Sequence, residues 1–166
     1  MLEVNFEFLT SAVVLGIGAT LVLDIWSLFL KTVFKVVGFN YGLVGRWIIH
    51  GFHGRLFHSN IVQSPKVKGE MALGWIAHYV IGVLFSASFL MMFGLNWLES
   101  LNLAPAIIFG VITVCLPFFI MQPCFGMGIA ASKLPNPNLA RLKSLTSHTV
   151  FGFGLYLTGL LVNQLA

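Results

Sequence analysis

Three ionisable side chains stand where an apolar sequence gives them little company: Asp24, His78 and His148 each lie inside a long hydrophobic run, with Glu70 and Gln122 close to the ends of two runs. An ionisable group near the middle of a membrane span costs about 2.5–3.5 kcal/mol on insertion scales, so it implies a partner or a role. Burial disfavours the charged form of a carboxylate or an imidazole, and pairing the two favours it. An Asp24–His78 pair could therefore share one proton. Alternatively the carboxylate could orient an imidazole whose other nitrogen holds a metal or a substrate. The plainer reading of the same residues is a polar clasp that fixes helix register, at about 0.6 kcal/mol per interhelical hydrogen bond.

Spacing ties these groups to helix contacts. Ala12, Gly16, Thr20 and Asp24 recur every four residues, and so do Glu70, Gly74, His78, Gly82 and Ser86. Small residues at that spacing let backbones approach closely, so both stripes are expected to face other helices. A short internal likeness adds Gly152: His78-Tyr79-Val80-Ile81-Gly82 is similar to His148-Thr149-Val150-Phe151-Gly152. If the two halves are parallel repeats, the histidines take equivalent positions, and His78 and His148 could then act as metal or haem ligands across the bundle.

The elements that must position these residues follow from composition. Of the 166 residues 58% are hydrophobic and only 8% charged, against roughly 25% charged in an average soluble domain. So few charges cannot cover a soluble surface. Sixteen Phe argue against disorder, two Cys against a disulfide scaffold, and the 17 Gly follow no triplet period. A spanning helix needs about 20 apolar residues, and four segments qualify: about 8–30, 71–95, 105–124 and 145–165. Their continuous apolarity fits helices and not barrel strands. The expected fold is an all-α integral membrane protein, one domain over residues 1–166, built as a bundle of four transmembrane helices.

Charge placement orients it. All nine Lys and Arg fall between spans one and two (Lys31, Lys35, Arg46, Arg55, Lys66, Lys68) or between spans three and four (Lys133, Arg141, Lys143). Basic residues flanking spans stay cytoplasmic, so loops 31–70 and 125–144 are expected inside and both termini outside. Glu3, Glu7 and Glu99 lie on the outer side. With this orientation Asp24, His78, Gln122 and His148 all fall in the cytoplasmic half, within roughly two helical turns in height. The first run lacks a basic leader region and a small-residue cleavage site, so it reads as a retained span.

Within the first basic loop, Gly42 to His58 sets Trp47, Ile48, Phe52 and Leu56 opposite Arg46, His50 and His53, an amphipathic segment expected at the interface. His50, His53 and His58 form no zinc spacing, and Cys115 and Cys124 form no redox pair. Pro117 and Pro123 are expected to kink or end span three near Gln122. Leu134-Pro135-Asn136-Pro137-Asn138 reads as a turn. No nucleotide loop, zinc-protease motif, nucleophile elbow or haem-attachment motif is present.

The chain resembles the bacterial inner-membrane family catalogued as domain of unknown function 2938. The resemblance rests on Gly16-Ile17-Gly18-Ala19-Thr20 with Asp24, Gly45-Arg46-Trp47 with His50, Gly69-Glu70, Gly74-Trp75-Ile76-Ala77-His78-Tyr79, Met121-Gln122-Pro123, Gly126-Met127-Gly128-Ile129-Ala130-Ala131-Ser132, Pro135-Asn136-Pro137, and Arg141-Leu142 with His148. It implies a bacterial multi-span membrane protein and brings no site residues with it.

Three functions fit these residues. The first is transport or permeation of a small solute, proton or cation through a site on Asp24 and the histidines, in a homo-oligomer or with a membrane partner. The second is a non-catalytic scaffold whose basic loops meet anionic lipid at the cytoplasmic face. The third is a membrane enzyme subunit with a metal ion or haem. No cofactor is assigned, catalysis is not the favoured reading, and no nucleic-acid partner is expected from the net +4, because the charges serve orientation.

Overall fold

The computed structural model describes residues 6–165, with side chains to Gln164, so Glu3 lies outside the described residues. Helices α1 (Phe6–Val33), α2 (Gly42–Phe52), α3 (Glu70–Phe93), α4 (Trp97–Ser100), α5 (Leu103–Thr113), α6 (Gln122–Cys124) and α7 (Pro137–Leu165) follow one another, and no strand occurs among the described residues. Four stretches are long and apolar enough to cross a membrane: Phe6–Phe34, Glu70–Phe93, Leu103–Cys124 and Pro137–Gln164. Their outward positions are apolar as well, with Ile25, Ile76, Leu84, Ile108 and Leu161 all more than half exposed. Helices apolar on every side belong in lipid. The chain is a multi-pass, all-α membrane protein.

The chain packs as two compact units. Among the described residues the first comprises 6–38, 79–112 and 147–165; the second comprises 39–78 and 113–146. The first unit is a four-helix bundle of α1, α5 and parts of α3 and α7. Its core holds Phe8, Leu15, Ala19, Phe89, Leu90, Trp97, Phe109, Phe151 and Leu155. Phe89 stands edge-on to both Trp97 and Phe109, with centroids 4.7 and 5.3 Å away, geometry that favours the ring quadrupoles.

Close helix contacts in that bundle are made where the small-residue stripes lie. A Cβ at Gly16 would sit 2.5 Å from Val83 Cα, and one at Gly82 would run into the Thr20 hydroxyl. The Ser86 hydroxyl donates to the Ala12 carbonyl, and Thr20 donates to its own helix at Gly16 O, 2.7 Å. Gly152 performs for α5 and α7 what Gly82 performs for α1 and α3: a Cβ there would sit 2.5 Å from Ala106 O. The likeness between the His78 and His148 segments therefore includes a shared small position at which one helix meets the helix before it in the bundle.

The second unit has a smaller core of Leu43, Val44, Ile61, Cys124 and Phe125. Gly74 lets α3 meet the backbone just ahead of α2, at the Tyr41 carbonyl, and Gly45 of α2 meets Glu70 and Gly74 in return. Span three is interrupted as its prolines require: Pro117–Met121 is a π-helical turn and helix ends at Cys124. Span four differs from expectation. Pro137, read as part of a turn, is the first helical residue, a position where its fixed φ and missing N–H suit a helix start. Residues 137–144, including Arg141 and Lys143, are thus a polar extension of α7 and not loop.

Candidate functional site

In the first unit, Asp24 lies on the contact stripe of α1 one turn beyond Thr20. Its Oδ2 accepts a hydrogen bond from the Tyr79 hydroxyl of α3, 2.8 Å, and both side chains are half-buried. A hydroxyl that can donate or accept suits a carboxyl group in either protonation state: it donates to the carboxylate, and it accepts from the acid. Tyr79 was not singled out among the sequence candidates, although it follows His78 directly and lies on the same turn of α3. The signal that could have found it is the stripe itself, since a residue beside the Gly82 contact must approach α1. His148 of α7 is half-buried beside the Phe85 ring, at 6.2 Å between centroids.

In the second unit, His78 stacks on Tyr41, with centroids 4.0 Å apart and planes 27° from parallel, and meets the Trp75 ring edge-on at 5.7 Å. Gln122 is 5% exposed; its Nε2 reaches Ser144 Oγ at a long 3.4 Å, and its Oε1 is buried without a hydrogen bond. A buried amide so poorly satisfied is uncommon in a native interior.

Glu70 closes a larger network. Arg46 Nη2 and Nε donate to its two carboxylate oxygens at 2.7 and 2.8 Å, a forked pair. Arg46 Nη1 donates to the carbonyls of Ile61, Ser64 and Val62 at 2.9, 3.0 and 3.3 Å. Glu70 Oε2 also accepts from the Val67 N–H at 2.9 Å. The Glu70 bonds push the Arg46 guanidinium further up from its ordinary value, with burial opposing. This corrects the expectation that Arg46 lies on the polar side of an interfacial segment: at 3% exposure it is one of the most buried polar residues, because the loop 61–64 folds over it.

The amphipathic segment is accordingly shorter than Gly42–His58. Helix α2 stops at Phe52, and the chain beyond is irregular. His53 is exposed and holds the Ile49 carbonyl through Nδ1, 2.8 Å. His50 is half-buried; its Nδ1 pairs with Nε2 of His58 at 2.9 Å, with the two rings stacked. His58 is itself buried, which pushes its imidazole below the ordinary value, against the pull of the nearby Cys124 carbonyl. Among the described residues no group of three or more His, Cys, Asp or Glu side chains is placed to hold a metal ion.

A family described as "Protein of unknown function (DUF2938)" matches residues 13–162, nearly the whole chain. No curated protein and no solved structure matches it.

Proposed function

Starting from the premise that the chain belongs to the DUF2938 family, we propose that it moves a proton or small cation across the bacterial inner membrane, with Asp24 as the group that binds it. One observation carries this reading: a carboxylate in an apolar span, hydrogen-bonded at 2.8 Å to a tyrosine hydroxyl from the neighbouring helix. The arrangement supports proton exchange because Tyr79 can satisfy Asp24 whether it is charged or neutral. His148 belongs to the same unit as Asp24, whereas His78, Gln122 and Glu70 belong to the other. The basic residues of the two long connections support a cytoplasmic place for those connections and a periplasmic one for both termini. Permeation through so small a bundle calls for a homo-oligomer or a membrane partner.

The scaffold alternative has less behind it. The glycine stripes it would use for docking are occupied within the chain, Gly16 by Val83 and Gly152 by Ala106. Reconstitution into vesicles with an internal pH-sensitive dye tests the proposal. Wild-type protein should pass protons down an imposed gradient, and Asp24→Asn, inserted and folded to the same extent, should fall to the level of empty vesicles. Equal flux in the two proteins would refute it.

A further inference from the structure

A second polar site lies in the other unit and is independent of Asp24. The segments Phe57–Ser59 and Pro123–Lys133 enclose an open groove of about 460 Å³, lined by His58, Ser59, Gly126, Gly128, Ser132 and Lys133. The two segments are joined by backbone bonds from His58 N–H to Cys124 O, 2.9 Å, and from Ile61 N–H to Phe125 O, 3.0 Å.

We infer that this groove binds a phosphate group, and specifically the phosphate of an anionic phospholipid headgroup. The first reason is His58. It is 5% exposed, its Nε2 is engaged by His50, and its Nδ1 is buried with no hydrogen bond. A buried ring nitrogen without a partner is costly unless something comes to it. In the tautomer in which Nε2 accepts from His50, Nδ1 carries the proton, and an oxyanion that receives it would take the place of the Cys124 and Leu56 carbonyls beside the ring.

The second reason is the set of donors around it. The hydroxyls of Ser59 and Ser132 and the Lys133 ammonium are exposed, and among the described residues none has a hydrogen bond or ion pair. The connecting loop keeps them close: Gly126, Gly128, Ala130 and Ala131 all have left-handed φ, from +47° to +83°. A Cβ at Gly128 would collide with the Ser132 hydroxyl and lie 2.9 Å from the Lys133 chain, so glycine is what lets the loop fold back there. Arg141 Nε donates to the Ala130 carbonyl at 2.8 Å, which holds this turn.

The third reason is charge. The second unit carries seven Lys and Arg side chains and a single carboxylate, Glu70, which Arg46 already occupies. Nothing acidic in that unit is left to neutralise Lys133. The lipid source is favoured by the rim. Phe57 and Ile129 line the groove yet are 73% and 59% exposed, which suits an acyl chain beside a headgroup, and Pro123 places the groove at the end of span three.

The test is lipid retention by the full-length protein in detergent, read by native mass spectrometry with phosphatidylglycerol, phosphatidylcholine or inorganic phosphate added. Wild type should hold one phosphatidylglycerol in preference to phosphatidylcholine. Lys133→Glu, a change at an exposed residue, should weaken that binding by about ten-fold, the loss expected for one charged hydrogen bond. Lys66→Glu carries the same charge change in the same unit away from the groove and should leave it intact. Competition by millimolar inorganic phosphate that is also lost in Lys133→Glu would support the phosphate site and assign it to a free phosphate. Equal weakening by Lys66→Glu, or retention of both lipids alike in wild type, would overturn the inference. His58→Gln, checked for an unchanged unfolding midpoint, should reproduce the Lys133→Glu loss; unchanged lipid preference in that variant would also overturn it.

Discussion

Replacing Glu70 by Gln should destabilise the second unit severely. The substitution keeps size and shape but removes the charge that faces Arg46 across 2.7 and 2.8 Å. Arg46 is 3% exposed and cannot turn to water. Breaking a buried ion pair from one side costs about 3–5 kcal/mol, most of it the penalty of the charge left behind. Two features place this case near the lower end, about 3 kcal/mol: the Glu70 side chain is 16% exposed, and three carbonyls still solvate Nη1. The assay is equilibrium unfolding in mixed micelles, together with amide hydrogen exchange. Exchange should quicken first over residues 61–64, whose carbonyls Arg46 holds. Replacing Arg46 by Met and Glu70 by Leu together should cost less than Glu70→Gln alone, since no unpaired charge remains. A loss below about 1 kcal/mol in Glu70→Gln, the level of a surface pair, would refute the argument.

Other expectations follow from the same geometry. Gly74→Ala should destabilise by about 1–3 kcal/mol in the same unfolding assay, because the new Cβ would enter the Tyr41 carbonyl; Gly38→Ala, which meets nothing, is the control. In lipid-free and phosphate-free micelles, stability should fall on acidification through His58. Its folded pKa lies below the ordinary 6.5, so the contribution is fully present above pH 6.5 and is lost as pH drops towards the lowered folded value. His58→Gln should flatten that part of the stability profile measured between pH 7.5 and 5. Arg141→Ala, which frees the Ala130 carbonyl from its 2.8 Å bond, should raise hydrogen exchange over residues 128–133 and leave the α1–α3 contacts of the other unit unchanged.

The spans and their contact stripes are legible in the sequence because lipid imposes a strong pattern: an unbroken apolar run, with small residues every four positions where backbones meet. Gly16, Thr20, Gly82 and Gly152 sit at such contacts, and Asp24 lies at the end of one stripe. The Arg46–Glu70 pair is not legible in that way. Its members are 24 residues apart, joined by a connection without periodicity, and the amphipathic pattern that sets Arg46 on the polar side of an interfacial segment carries no sign of loop 61–64 closing over it. His58 is not legible either: the absence of a zinc spacing says nothing of its burial, which depends on the chain after span three. The early start of α7 was hidden by polarity: Asn138, Arg141, Lys143 and Ser144 look like loop, but Pro137 at the first position starts a helix.

The proposed role of Asp24 is that its titratable carboxyl group carries a proton across the membrane. It is tested most directly by proton flux in vesicles holding equal amounts of wild type, Asp24→Asn, Asp24→Glu and Tyr79→Phe. Asp24→Asn should show background flux, Asp24→Glu measurable flux because a carboxyl group remains, and Tyr79→Phe reduced flux because the 2.8 Å hydrogen bond is gone. Wild-type flux in Asp24→Asn would contradict it.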